Sequence, residues 1–234
     1  MKHRATEFPG SGRAIALPAR RTLLAGLGAG AALALTGCAD VNFLPGQRQD
    51  PNFYRLTPKS TFDTGLPTVS WQLVVETPTA NAGLSQLRIA LMRNPVQIEY
   101  YARANWTDRV PQMLQTLMLE SFDNSGHIVS VGRELIGLRA DFLLRIEIRE
   151  FQAEYFHEDP RPHAHIGFSA RLIAMPRREI VGNQGFNALV PAQADRIDDI
   201  ITSFDVALGD VLKDLVGWTL KTGETVYTRD RTGA

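Results

Sequence analysis

Cysteine is almost missing from this sequence: the 234 residues contain one. A single thiol excludes a disulfide scaffold and any cysteine-rich zinc or iron–sulfur centre. Long apolar runs are missing too. The longest, Leu23 to Leu35, is thirteen residues of Leu, Ala and Gly. As a helix it would reach about 20 Å, short of the roughly 30 Å of bilayer hydrocarbon, so no transmembrane helix is expected. There is no excess charge of one sign, since 25 Lys and Arg balance 25 Asp and Glu. That balance argues against a nucleic-acid partner held by phosphate neutralisation. The chain also lacks a phosphate-cradling Gly loop with its Lys, a G-x-G-x-x-G turn, a G-x-S-x-G elbow and an H-E-x-x-H helix. It is therefore not expected to be an ATPase or any other enzyme, and no cofactor is expected. What is present is an apolar fraction of 44%, enough for an ordinary globular core.

The balanced charge hides an uneven distribution. Residues 1–37 carry Lys2, Arg4, Arg13, Arg20 and Arg21 against Glu7 alone, leaving a mildly acidic remainder. A basic region, a short apolar run and then small residues form the pattern of an export signal. The run ends in Leu35, Thr36, Gly37 and Cys38. This resembles the bacterial lipobox, in which the cysteine sulfur receives a diacylglycerol and the signal is cut just before it. Small residues suit an extended peptide in a protease cleft, and only a thiolate is nucleophilic enough for the thioether transfer. Cys38 is therefore the expected lipidation site, with Leu35, Thr36 and Gly37 as its recognition residues. Arg20-Arg21-Thr22-Leu23-Leu24 is compatible with either twin-arginine or general export. Ala39, where an Asp would favour inner-membrane retention, points by resemblance to the outer membrane.

Four segments follow: a signal peptide over 1–37, the lipidated cysteine and a flexible tether over 38–52, a folded domain over 53–221, and a polar tail over 222–234 expected to fray. The tether contains two prolines and a glycine and has no period. In the domain, alternating apolar residues predict strands over 53–57, 69–75, 87–91 and 96–100, with Arg93-Asn94-Pro95 as a hairpin turn. Val110, Met113, Leu114, Leu117 and Met118 fall on one helical face over 108–123, with Thr107 or Asp108 as cap, Pro111 in the first turn and Gly126 as stop. A strand follows over 127–131. Phe142, Leu144, Ile146 and Ile148, then Ala164 to Leu172, then 179–190 read as an antiparallel meander. A second amphipathic helix is predicted over 196–220, capped by Asp195, with Ile197, Ile201, Phe204, Leu208, Val211 and Leu215 on its buried side. The expected fold class is α+β, an α/β sandwich in which two main amphipathic helices cover a mixed, largely antiparallel sheet.

Two groups of residues invite a chemical reading. His157, Glu158, Asp159, His163 and His165 contain metal-ligand types, but Pro160-Arg161-Pro162 breaks the segment. It reads as an exposed hairpin loop that holds no metal, in which replacing His163 and His165 leaves stability nearly unchanged. Tyr100, Tyr101 and Trp106 precede a helix, and such an aromatic group is either a partner or lipid contact or a corner of the core.

The order of segments resembles the ABC-type transport auxiliary lipoprotein family. The resemblance rests on Phe53-Tyr54-Arg55-Leu56, Leu73-Val74-Val75, Pro95 through Tyr100-Tyr101, Ala104-Asn105-Trp106 before the Pro111 helix, and Ala140-Asp141-Phe142-Leu143-Leu144 with Phe151 beyond. It spans residues 53–221. It implies a periplasm-facing lipoprotein with no catalytic residues, working beside an ATPase, a permease and an MCE-domain substrate-binding protein whose cargo is usually lipid. Docking by a free sheet edge is expected at Val69 to Val75 or Glu179 to Val190. The rival reading is an unrelated envelope-assembly lipoprotein, pilotin-like or an activator of a cell-wall synthase. The neighbouring genes would separate the two.

Overall fold

The computed structural model describes residues 50–133 and 140–232. The expected signal peptide, the expected lipobox with Cys38 and residues 39–49 of the expected tether lie outside the described residues. The elements run in the order β1 (Asn52–Tyr54), β2 (Val69–Val75), β3 (Thr79–Ala80), β4 (Arg88–Asn94), β5 (Gln97–Trp106), α1 (Val110–Ser125), β6 (Ile128–Arg133), β7 (Phe142–Glu154), β8 (His163–Ala174), β9 (Glu179–Pro191) and α2 (Ile197–Thr232).

One sheet of nine strands is organised on β7. Along one edge β7 pairs in parallel with β2 at Phe142 to Leu144, β3 at Glu147 and Ile148, and β4 at Gln152 to Glu154. Along the other edge it pairs antiparallel with β8 over its whole length, and β8 pairs antiparallel with β9. The β4–β5 hairpin extends the sheet to β1, and β2 extends it to β6. The mixed sheet and the meander agree with the α+β expectation.

Both helices lie on one face. α2 packs on β8, β9 and β2, and α1 on β6 and β2. Beneath them Trp106 stands edge-on to Phe151 and Phe204, with ring centroids 5.6 and 5.3 Å away. Trp71 meets Phe142 in the same manner at 4.9 Å. All these rings are buried, and quadrupolar rings favour such edge contacts.

Three expectations are corrected. First, β2 is no edge strand: it is flanked by β6 and β7, because its two faces are both largely buried. Second, residues 222–232 are not a fraying tail but the last turns of α2. Gly223 does not stop the helix; it lets the helix cross Trp71, since a Cβ there would lie 2.5 Å from the ring. The Trp71 Nε1 donates to Glu224 at 3.2 Å, and Val226 and Tyr227 pack partly on the core. Third, neither Thr107 nor Asp108 caps α1. Arg109 holds the N-cap without a side-chain bond. Asp108 instead accepts from the Arg109 amide, and the Gln86 carbonyl takes the Val110 amide.

Candidate functional site

The aromatic trio on β5 is not one patch. Trp106 has no exposed surface and belongs to the core. Neighbouring residues of a strand point to opposite faces, which separates Tyr100 from Tyr101. The Tyr100 hydroxyl donates to the Gly83 carbonyl at 3.0 Å, with the Arg88 guanidinium 4.0 Å above its ring. The Tyr101 hydroxyl meets that of Tyr155 at 2.8 Å, and Tyr155 donates to Asp195 at 2.7 Å. Burial, aided by Asp195, pushes the Tyr155 hydroxyl up to about 12, and burial with Tyr155 beside it raises Tyr101 further still. These hydroxyls stay protonated and tie β5 and β7 to the start of α2. A joint partner contact by Tyr100, Tyr101 and Trp106 is therefore corrected to a packing role for Trp106. Asp195, read from sequence as a cap, accepts from Tyr155.

On the face of the sheet away from the helices lies a polar cluster of another kind. β7 has a bulge between Ile148 and Glu150. The extra residue shifts the alternation by one. Phe151 and Ala153 continue the core side, while Glu150, Gln152 and Glu154 face away from it. Register sets His165 opposite Gln152 and His163 opposite Glu154. His163 is 8% exposed and Glu154 5%; β8 begins at His163 and carries His163 and His165 into the sheet, while His157 lies in the connection between β7 and β8. The proline-broken hairpin loop over 155–162 is thus as expected, and the exposed-loop reading is corrected for His163 and His165, whose side chains are largely buried.

The Glu154 carboxylate is the hub. Gln152 Nε2 donates to it at 2.9 Å and to Glu150 at 2.6 Å. His165 Nδ1 and His157 Nε2 each lie 2.7 Å from one of its oxygens. The other His165 nitrogen is 2.8 Å from Asn187 Oδ1 on β9. Glu154 and Asn187 Oδ1 flank the ring with acceptors, an arrangement that favours its protonated form. Its pKa is accordingly raised, by the hydrogen bond to Glu154 against the pull of burial, with the Glu154 charge adding to it. Burial pushes Glu154 upward, but the bonds from His165, Gln152 and His157 outweigh it and hold the carboxyl at about 2. Sequence reasoning missed Glu150, Gln152, Glu154 and Asn187. The legible signal was the slip from the even positions Phe142 to Ile148 to the odd positions Phe151 and Ala153.

The sheet also has an open margin. Among the described residues β9 pairs with β8 alone, as the sequence led us to expect for Glu179 to Val190. Of its thirteen residues only Glu179 is charged, and a proline comes only at the end. Ile180 and Leu189 are exposed on it. Edge strands that must stay unpaired usually carry lysine, inward charge or proline, and β9 has none of these along its middle.

The profile of the ABC-type transport auxiliary lipoprotein component family matches residues 54–216. The chain belongs to this family. The family is described as the auxiliary lipoprotein component of ABC-type transport, a class of cell-envelope proteins. The crystal structure of protein XCC0632 from Xanthomonas campestris is similar at 30% identity and a TM-score of 0.72, covering 76% of this chain and 99% of that one. A second crystal structure, at 14% identity and a TM-score of 0.58, covers 72% of this chain and 97% of its own and shares the fold. A protein of Bradyrhizobium diazoefficiens is 27% identical over 178 residues, 69% of this chain and 45% of that protein. This auxiliary lipoprotein thus spans about half the length of that relative. Among its described residues no helix is long and apolar enough to cross a membrane.

Proposed function

We propose that this auxiliary lipoprotein is a non-catalytic docking component of an MCE-type ABC transport system for lipids. It is anchored through an acylated Cys38 to the outer membrane, faces the periplasm, and binds the MCE-domain substrate-binding protein that works with the permease and ATPase. The family match is the observation that supports this reading most directly. The β9 margin supports a mode of docking: a partner strand adds to the unpaired N–H and C=O groups of the edge, and alternate side chains give it specificity. The mature chain is mildly acidic and has no phosphate-binding loop, consistent with a protein or lipid partner rather than a nucleotide. The lipobox Leu35, Thr36 and Gly37 supports the anchor.

The test uses the full chain in its native envelope. Affinity purification is expected to recover the MCE subunit, identified by mass spectrometry, and the amino terminus of the purified protein is expected at an acylated Cys38. Ile180→Lys with Leu189→Lys is expected to abolish recovery while leaving thermal unfolding unchanged, because both side chains are exposed. Recovery undiminished in that double variant would reject the β9 edge. A failure to recover any MCE subunit with the wild-type chain would reject the partner.

A further inference from the structure

The cluster on the open face has a property that its hydrogen bonds alone do not require. Two carboxylates and an imidazole, Glu150, Glu154 and His165, place a ligand atom each within 4.8 Å of one another. Two anions so close repel, and cationic charge beside them, a protonated His165 or a metal ion in place of its proton, relieves the repulsion. The backbone is arranged to bring them together. The bulge turns Glu150 to the same side as Glu154. Across from it stands Gly167, where a Cβ would lie 3.0 Å from Glu150 Cγ, so any larger residue would push the carboxylate away.

We propose that Glu150, Glu154 and His165 form a binding site for a divalent transition-metal cation of the zinc class, which on binding takes the place of the His165 Nδ1 proton, released to solvent. Carboxylate and imidazole together suit this class better than calcium or magnesium, which take oxygen ligands. Three protein ligands leave a position for water, as in open zinc sites. The surroundings match what ligands of such ions require. Asn187 Oδ1, 2.8 Å from His165 Nε2, fixes the ring so that Nδ1 points at the carboxylates. Gln152 Nε2 holds one oxygen of each glutamate, 2.6 Å from Glu150 and 2.9 Å from Glu154. His157, 2.7 Å from the second Glu154 oxygen, positions that carboxylate from the other side. The ion would clasp β7 to β8, with β9 attached through Asn187, at the end of the meander that leads to the open margin. The sequence alone placed no metal here, because Glu150 and Glu154 were not seen to meet His165.

The experiment is zinc titration of the full chain in detergent after removal of metals with a chelator. One zinc ion per chain is expected by calorimetry and elemental analysis. Zinc should raise the unfolding temperature in proportion to its occupancy, and cobalt in its place should give a visible absorption band. Glu150→Gln and His165→Asn are expected to weaken zinc binding at least tenfold and to remove the cobalt band. Asn187→Ala is expected to weaken it by about tenfold through its orienting role. His163→Asn, whose Nδ1 meets the Arg161 carbonyl at 2.8 Å, should bind as the parent does. Glu150 is only half-buried, so its variant keeps the test valid even if His165→Asn folds poorly. Absence of stoichiometric zinc in the parent, or equal binding by Glu150→Gln and His165→Asn, would overturn the proposal. Neither result depends on the transport partner.

Discussion

β7 buries its two faces by opposite means. On the helix side Phe151 and Ala153 join Trp106, Phe168 and Phe204 in an apolar core. One residue away, on the other side, Gln152 and Glu154 are as well buried as the core, at 1% and 5% exposure. The first face holds because apolar area leaves water and rings interlock. The second holds because every acceptor of a buried carboxylate has found a donor, without which desolvation would expel it. The lesson is that burial on this sheet does not mark one kind of surface. Among the described residues the buried Trp106 Nε1 on the apolar face finds no partner, whereas the polar face depends on completeness.

The largest effect should come from the apolar face. Phe204→Ala removes a fully buried ring that touches Trp106 and Phe151, at centroid distances of 5.3 and 5.5 Å. A loss of about 3–5 kcal/mol in urea-unfolding free energy is expected. A smaller loss than that of Glu154→Ala would break the comparison, since the polar face would then carry the domain.

Glu154→Ala comes next. It strands the donors of Gln152, His157 and His165, and a loss of about 2–3 kcal/mol is expected, measured in chelator. Its pH profile sharpens the point. The Glu154 carboxyl is depressed from 4.5 to about 2 on folding. Its contribution is therefore complete above pH 4.5 and lost as pH falls toward 2. His165 is raised above 6.5, so its contribution is complete below pH 6.5 and lost as pH rises through the elevated folded value. Unfolding curves across both windows should slope in the parent and flatten in Glu154→Ala. Equal slopes would show that the carboxylate does not hold the cluster.

The smallest effect belongs to the exposed part of the same polar face. Arg145 grips Glu76 through two bonds of 2.6 and 3.1 Å, but its side chain is 47% exposed. Arg145→Ala is expected to cost less than about 1 kcal/mol by the same unfolding assay, because water and salt screen the pair. A larger cost would mean that exposure does not separate the two halves of the polar face.

Much of this architecture was legible beforehand. Period-two alternation located β4, β5, β7, β8 and β9, and period-3.6 stripes located both helices, because a half-buried element must keep its apolar residues on one side. Pro111 and Gly126 marked the ends of α1, the latter confirmed by its left-handed backbone at φ 66°. The candidate site was less legible. The histidines were visible, but prolines around them suggested a loop, and the β7 partners of His165 lie eleven or more positions away. The reach of α2 was hidden as well, since polar residues after Gly223 look like an ending unless Trp71 is known to lie beneath.

By itself, the sequence determined the class of the chain: an amphipathic α+β domain and membership in a family of auxiliary transport lipoproteins. These are local properties, written in composition, spacing and periodicity. Tertiary structure alone decided which strands are interior and which form the margin, because pairing depends on residues far apart in the chain. It likewise decided the fate of the buried carboxylate. A single inserted residue in β7 changed which side Glu150, Gln152 and Glu154 face, and only the packed sheet shows that His165 and Asn187 wait there to meet them.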